Sequence, residues 1–161
     1  FSLFQKTWRR ADSWAVVITS PDKLPQTATA EGAINSASQL EQVGELKAAL
    51  QGYQTILDKW PENSIAYFGA GNTAYALGQY QLAVEFFSDF LNMKPSSAIA
   101  WNNLAYSLAE RGCLSAAKNA ISCALKSEPD NQNLLDSKRE INQYISHETP
   151  ASCEQVSCVA N

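Results

Sequence analysis

Cysteine and histidine are the side chains through which this chain could do nucleophilic or metal chemistry, and there are few of them. The 161 residues hold four cysteines (Cys113, Cys123, Cys153, Cys158) and a single histidine, His147. A thiolate nucleophile needs a base within hydrogen-bond reach and a further group to orient that base. His147 falls at the end of the last helical stretch, in a tail whose pattern offers nothing to hold it, so no catalytic residue is assigned. A metal site of His147, Cys153 and Cys158 has H-x5-C-x4-C spacing. That spacing matches no recognised zinc pattern and supplies three ligands where a structural site takes four. No metal ligand and no cofactor are assigned. Cys113 and Cys123 stand about 15 Å apart along one expected helix, too far to bridge each other. Cys153 and Cys158 are close enough in sequence to close a small disulfide loop. A local disulfide and two free tail thiols both fit, and a bridged tail would favour an exported protein.

The elements that frame these residues repeat at a fixed step. Pro61, Pro95 and Pro129 are evenly spaced, and Gly44, Gly78 and Gly112 share the same spacing. Ala49, Ala83 and Ala117 keep the step, each followed four residues later by Tyr53, Phe87 or Ile121. Glycine suits a helix end because it accepts the left-handed backbone, and proline stops the next helix. The period therefore reads as helix pairs over 30–63, 64–97 and 98–131. Asp130 or Asn131 can cap a further helix over 132–146, with Leu134, Leu135, Lys138, Ile141 and Ile145 as one stripe. From His147 onward no periodicity remains, and 147–161 is expected to be disordered.

A 34-residue period with Trp101-x-x-Leu104-Ala105-x-x-Leu108 and Tyr67-x-x-Ala70-Gly71-x-x-Ala74 resembles the tetratricopeptide repeat. The weakest match is the first repeat, at Ala33, Ser36, Ala37 and Leu40. The resemblance implies an all-α fold, a right-handed superhelix of three helix pairs plus a capping helix. It implies too that the first helix of each pair lines a concave groove that holds a peptide or partner protein. In that frame Phe68, Asn72, Tyr75, Asn102, Asn103 and Tyr106 face the groove, with Ile34, Ser38 and Gln42 at its N-terminal end. Asparagines would bond an extended peptide backbone, and the aromatics would supply apolar contact. Members of the family that grip chaperone C-termini use two lysines, an arginine and two asparagines. Asn72 and Asn103 match the asparagine places, whereas Phe68, Asn133 and Ser137 occupy the cationic ones. A carboxylate clamp is therefore not expected.

Residues 1–19 lie outside the period. Phe1 to Arg10 can form a short helix, Trp14 to Thr19 reads as a buried β-strand, and 20–29, with Pro21 and Pro25, reads as a linker. One strand cannot satisfy its own backbone, so a remnant of an upstream domain is expected. Phe4-x-x-Thr7-Trp8-x-x-Ala11-x-x-Trp14-Ala15-x-Val17, then Leu24-Pro25-x-Thr27-Ala28, resembles the end of a bacterial papain-like cysteine peptidase of the double-glycine-leader type. None of that family's catalytic residues falls on this chain. The net charge is −4, and residues 1–29 hold four of the twelve basic side chains against two of the sixteen acidic ones. The repeats are thus mildly acidic, without the basic footprint of a nucleic-acid binder. No apolar run reaches the roughly 20 residues of a membrane span. The chain is expected to be a protein-interaction module with a peptide or protein partner. The alternative is a homodimer that self-associates through the N-terminal strand or the outer helix faces. A periplasmic or envelope setting would suit either.

Overall fold

The computed structural model describes residues 28–144 and 152–158, and every regular element among them is a helix. In order these are α1 (Ala30–Gln42), α2 (Leu46–Lys59), α3 (Ser64–Ala76), α4 (Tyr80–Met93), α5 (Ala98–Glu110), α6 (Leu114–Ser127) and α7 (Gln132–Gln143). The expected strand at 14–19, the linker as far as residue 27 and the peptidase-like stretch lie outside the described residues. The chain divides into two compact units, one ending at Leu77 and the other beginning at Gly78.

The first unit contains α1, α2 and α3. Thr29 opens α1 by accepting a hydrogen bond from Gly32 N, and Asn63 opens α3 by accepting one from Ala66 N. Each meets a backbone donor that the helix start leaves unpaired. After α1, Gly44 turns the chain at φ 81°. Gly44 N donates to Glu41 O and Glu45 N to Leu40 O, the paired bonds of a Schellman ending. The core is built from Ala33, Ala37 and Leu40 of α1, Ala49, Tyr53 and Ile56 of α2, and Ala66, Ala70 and Ala74 of α3. Tyr53 donates its hydroxyl to Glu41 Oε2 at 3.0 Å. Its ring lies so close to α3 that a Cβ on Gly69 would come within 2.4 Å of it.

The second unit contains α4 to α7 and the tail. Ser97 and Asn131 repeat the capping of Thr29 and Asn63, accepting from Ala100 N and from Asn133 N and Leu134 N. Gly112, at φ 82°, closes α5 with the same pair of bonds as Gly44. Trp101, buried, donates its indole N–H to Pro95 O at 2.8 Å and so fastens α5 to the turn before it. Ala83, Phe87, Leu104, Leu108, Ala117, Ile121, Leu134 and Ile141 fill the core. In α7 the buried stripe runs through Leu134, Ser137 and Ile141, with Lys138 exposed. That corrects the expected stripe: Ser137 takes the place of Lys138, Leu135 is half-buried, and Ile145 lies outside the described residues. Spacing by three and then four follows the 3.6-residue turn here and leaves the lysine in water.

The tail departs furthest from expectation. Cys153 and Cys158 do not bridge each other: Cys113 pairs with Cys153, and Cys123 pairs with Cys158. Residues 152–158 are therefore a fastened segment rather than part of a disordered end. The reason is distance. Ten helical residues rise about 15 Å, and five extended residues span about 17 Å, so one stretched segment alongside α6 meets both helix cysteines.

Candidate functional site

The first helices of the repeats present faces that mix small polar and aromatic side chains. Within the first unit, Ile34 and Ser38 are half-buried on α1 and Gln42 is exposed. Their counterparts one period on, Phe68 and Asn72, are half-buried on α3, as is Tyr75. Spacings of four and three put each set on one side of its helix. Within the second unit, Asn102, Asn103 and Tyr106 are half-buried on α5. Asn102 and Tyr106 share a side, and Asn103 is turned about 100° from Asn102. Asn103 O accepts from the buried Ser107 hydroxyl at 2.8 Å. Asn102 Oδ1 is buried and has no hydrogen-bond partner.

Two rungs join α5 to α7 on this side. The Tyr106 hydroxyl donates to Glu140 Oε2 at 2.5 Å, and the Tyr144 hydroxyl donates to Glu110 Oε1 at 2.8 Å. Burial, and then the bond to Glu140, push the Tyr106 hydroxyl above the usual phenol range. In the first unit burial and the neighbouring Glu41 carboxylate do the same to Tyr53, while the Ser38 hydroxyl pulls the other way. Glu110, Glu140 and Tyr144 belong to the α5–α7 face and were missing from the expected set. The period itself was the signal for them, because Glu140 and Tyr144 stand one full step after Tyr106 and Glu110.

The charge of these faces is one-sided. Helices α1, α3 and α5 contain no lysine or arginine, and their ionisable carboxylates are Glu31, Glu41 and Glu110. Asn133 is exposed on α7 and Ser137 is buried there, at places a carboxylate clamp would fill with cations. No group of three or more His, Cys, Asp or Glu suited to a metal occurs among the described residues. His147 lies outside them. Two clefts of the second unit, about 500 and 490 Å³, sit elsewhere. One lies between the tail and the start of α6, the other beside Gly78–Leu82 and Arg111, and neither contains a candidate residue of the groove.

Residues 35–98 match the family model of the tetratricopeptide repeat. No curated protein matches the chain at a significant level. Among solved structures, a double mutant of the protein MamA from RS-1 superposes with a TM-score of 0.69 at 18% identity. That match covers 73% of this chain and 66% of MamA. The first tetratricopeptide domain of Spaghetti (RPAP3), bound to the HSP90 peptide SRMEEVD, gives 0.67 at 18%, over 71% of this chain and 90% of that one. A mutant of the O-GlcNAc transferase of Thermobaculum terrenum gives 0.66 at 22%, over 83% of this chain and 25% of the enzyme. At these identities the likeness is one of fold. The papain-like resemblance of residues 4–28 has no counterpart in any of these matches.

Proposed function

We propose that this chain of tetratricopeptide repeats is a non-catalytic interaction module that binds an extended segment of a partner protein on the faces of its first helices. The observation that carries the reading is the composition of those faces. Half-buried Asn72, Asn102 and Asn103 offer both donors and acceptors to a peptide backbone, while Phe68, Tyr75 and Tyr106 offer rigid apolar surface. A fold of the same kind holds a peptide in the Spaghetti complex.

The partner's chemistry follows from charge. With no lysine or arginine on α1, α3 or α5, a carboxylate-rich peptide would meet no counter-charge there. Glu110 and Glu140 would favour neutral or basic residues. The segment bound is thus neutral or basic and gripped through its backbone. The attachment of this module to a papain-like peptidase domain is the narrower part of the reading, and residues 4–28 alone carry it.

The test is a peptide-array or library pull-down with the intact chain, repeated with Asn72→Ala and Tyr106→Ala. Loss of a well-packed contact residue costs about 1–2 kcal/mol, so each variant should weaken the selected peptides by roughly five- to thirtyfold with its helicity unchanged. Equal binding by both variants, or selection of acidic peptides, would overturn the assignment.

A further inference from the structure

The interaction reading leaves the four cysteines and residues 152–158 without a role. Cys113, Ala116, Ala120 and Cys123 form a stripe along α6, and they are 2%, 4%, 0% and 3% exposed. Gly52 and Phe86, which match Ala120, are buried as well, but the places that match Cys113, Ala116 and Cys123 on the other second helices are more open. Glu45, Ala48 and Thr55 are half-buried on and before α2, while Gln79 and Asp89 are exposed and Leu82 half-buried around α4. The extra burial at Cys113, Ala116 and Cys123 is on the side of α6 to which the tail is bridged.

The tail also has a place in the repeat. Helix α7 begins one full period after α5, so it stands where the first helix of a fourth repeat would stand. The matching second helix would fall on residues 148–161. There the column of Tyr53, Phe87 and Ile121 reaches Gln155, so a helix in that position would have to bury a polar glutamine where the others bury a large apolar side chain. Residues 152–158 instead lie alongside α6, running in the same direction, without helical or strand bonding. A third anchor is polar. The Arg111 guanidinium, which follows α5, donates to both carboxylate oxygens of Glu154 at 2.9 and 2.6 Å and to Ser152 O at 3.3 Å.

We infer that residues 152–158 are a covalent strap that stands in for the second helix of a fourth repeat and closes the outer side of α6. The closed form belongs to an oxidising compartment. Forming each bridge takes two electrons and two protons from a cysteine pair. A protein disulfide serving as oxidant accepts both and becomes a dithiol. A trialkylphosphine reverses the step, delivering two electrons to each bridge. It leaves as the phosphine oxide, its oxygen coming from the water that also protonates the thiols. This inference is independent of what the first helices bind.

The test uses the full chain, purified from an oxidising compartment. Before reduction, the denatured protein should have no maleimide-reactive thiol, and peptide mapping should return Cys113–Cys153 and Cys123–Cys158. Hydrogen exchange is then followed with and without a trialkylphosphine, and in the Cys153→Ser/Cys158→Ser variant. Both treatments should speed exchange in residues 114–127 about tenfold or more, while α1 to α3 keep their protection. A mapped Cys153–Cys158 bridge overturns the strap. So does α6 exchange that neither treatment changes, and so does an equal loss of protection in α1 to α3.

Discussion

At the scale of single residues, the tyrosine and glycine positions carry the clearest energetic consequences. Gly69 and Gly52 are both helical glycines and both buried, yet their surroundings differ. A Cβ at Gly69 would meet the Tyr53 ring at 2.4 Å, and that ring is 3% exposed and held by Glu41. A Cβ at Gly52 would touch Ala37 at an ordinary 3.5 Å. Gly69→Ala should therefore cost about 1–3 kcal/mol, as overpacking does, while Gly52→Ala should stabilise by roughly 0.5–1 kcal/mol. Urea titration of the two variants would read the opposite signs. Tyr53 has a second, pH-dependent signature. Burial first, and Glu41 next, raise its pKa in the folded state, so folding favours the protonated phenol. That contribution is complete below the unfolded value of about 10 and is lost as pH rises above it. Unfolding curves between pH 9 and 11.5 should show a steeper alkaline fall for the native chain than for Tyr53→Phe. Equal slopes would mean that other groups govern the alkaline limb.

At the scale of elements, each first helix and α7 owes its start to a polar side chain at one position of the period. Thr29, Asn63, Ser97 and Asn131 occupy that position in turn, and all accept from the backbone two or three residues on. The second helices begin at Glu45, Gln79 and Cys113 without a side-chain cap. Their starts are held by the glycine turns before them. Helix α7 has twelve residues and an exposed outer side, so its cap matters most. Asn131→Ala should cost about 1 kcal/mol. The loss should show in circular dichroism as fraying of the last helix on mild heating. The bridges from α6 close loops with sequence separations of 40 and 35. A single cross-link of that span is worth about 3–4 kcal/mol in the chain-entropy account, and two overlapping ones are worth less than twice that.

For the whole molecule, the question is whether the chain acts alone or as pairs. The exposed large apolar side chains among the described residues are Val43, Ile65 and Ile99, each at or beside a helix end. Each helix concerned thus offers a single large exposed apolar side chain, short of the apolar patch expected of an interface. The oxidised chain should accordingly scatter light as a 17.6 kDa monomer at micromolar concentration. A dimer of twice that mass would favour the self-association reading over peptide binding. None of the helices is long and apolar enough to cross a membrane among the residues described.

Much of this architecture is written in the chain's own periodicity. Glycine at 44, 78 and 112 is the residue that takes φ of 81°, 73° and 82° without strain, so the turns follow from residue type. Each proline stands two residues past the last helical residue of α2, α4 or α6, because a helix cannot continue into it. Alanine at 49, 83 and 117 is fully buried, which the spacing alone foretold. The rungs from Tyr106 to Glu140 and from Tyr144 to Glu110 were missed, although the period, carried into α7, sets the members of each pair one full step apart. The cysteine pairing was not legible, since four cysteines allow three connectivities and nearness in sequence pointed to the wrong one. Only the tertiary structure decided it. It laid an extended segment beside a helix, where five residues of one match ten residues of the other, and sulfurs distant in sequence became neighbours in space.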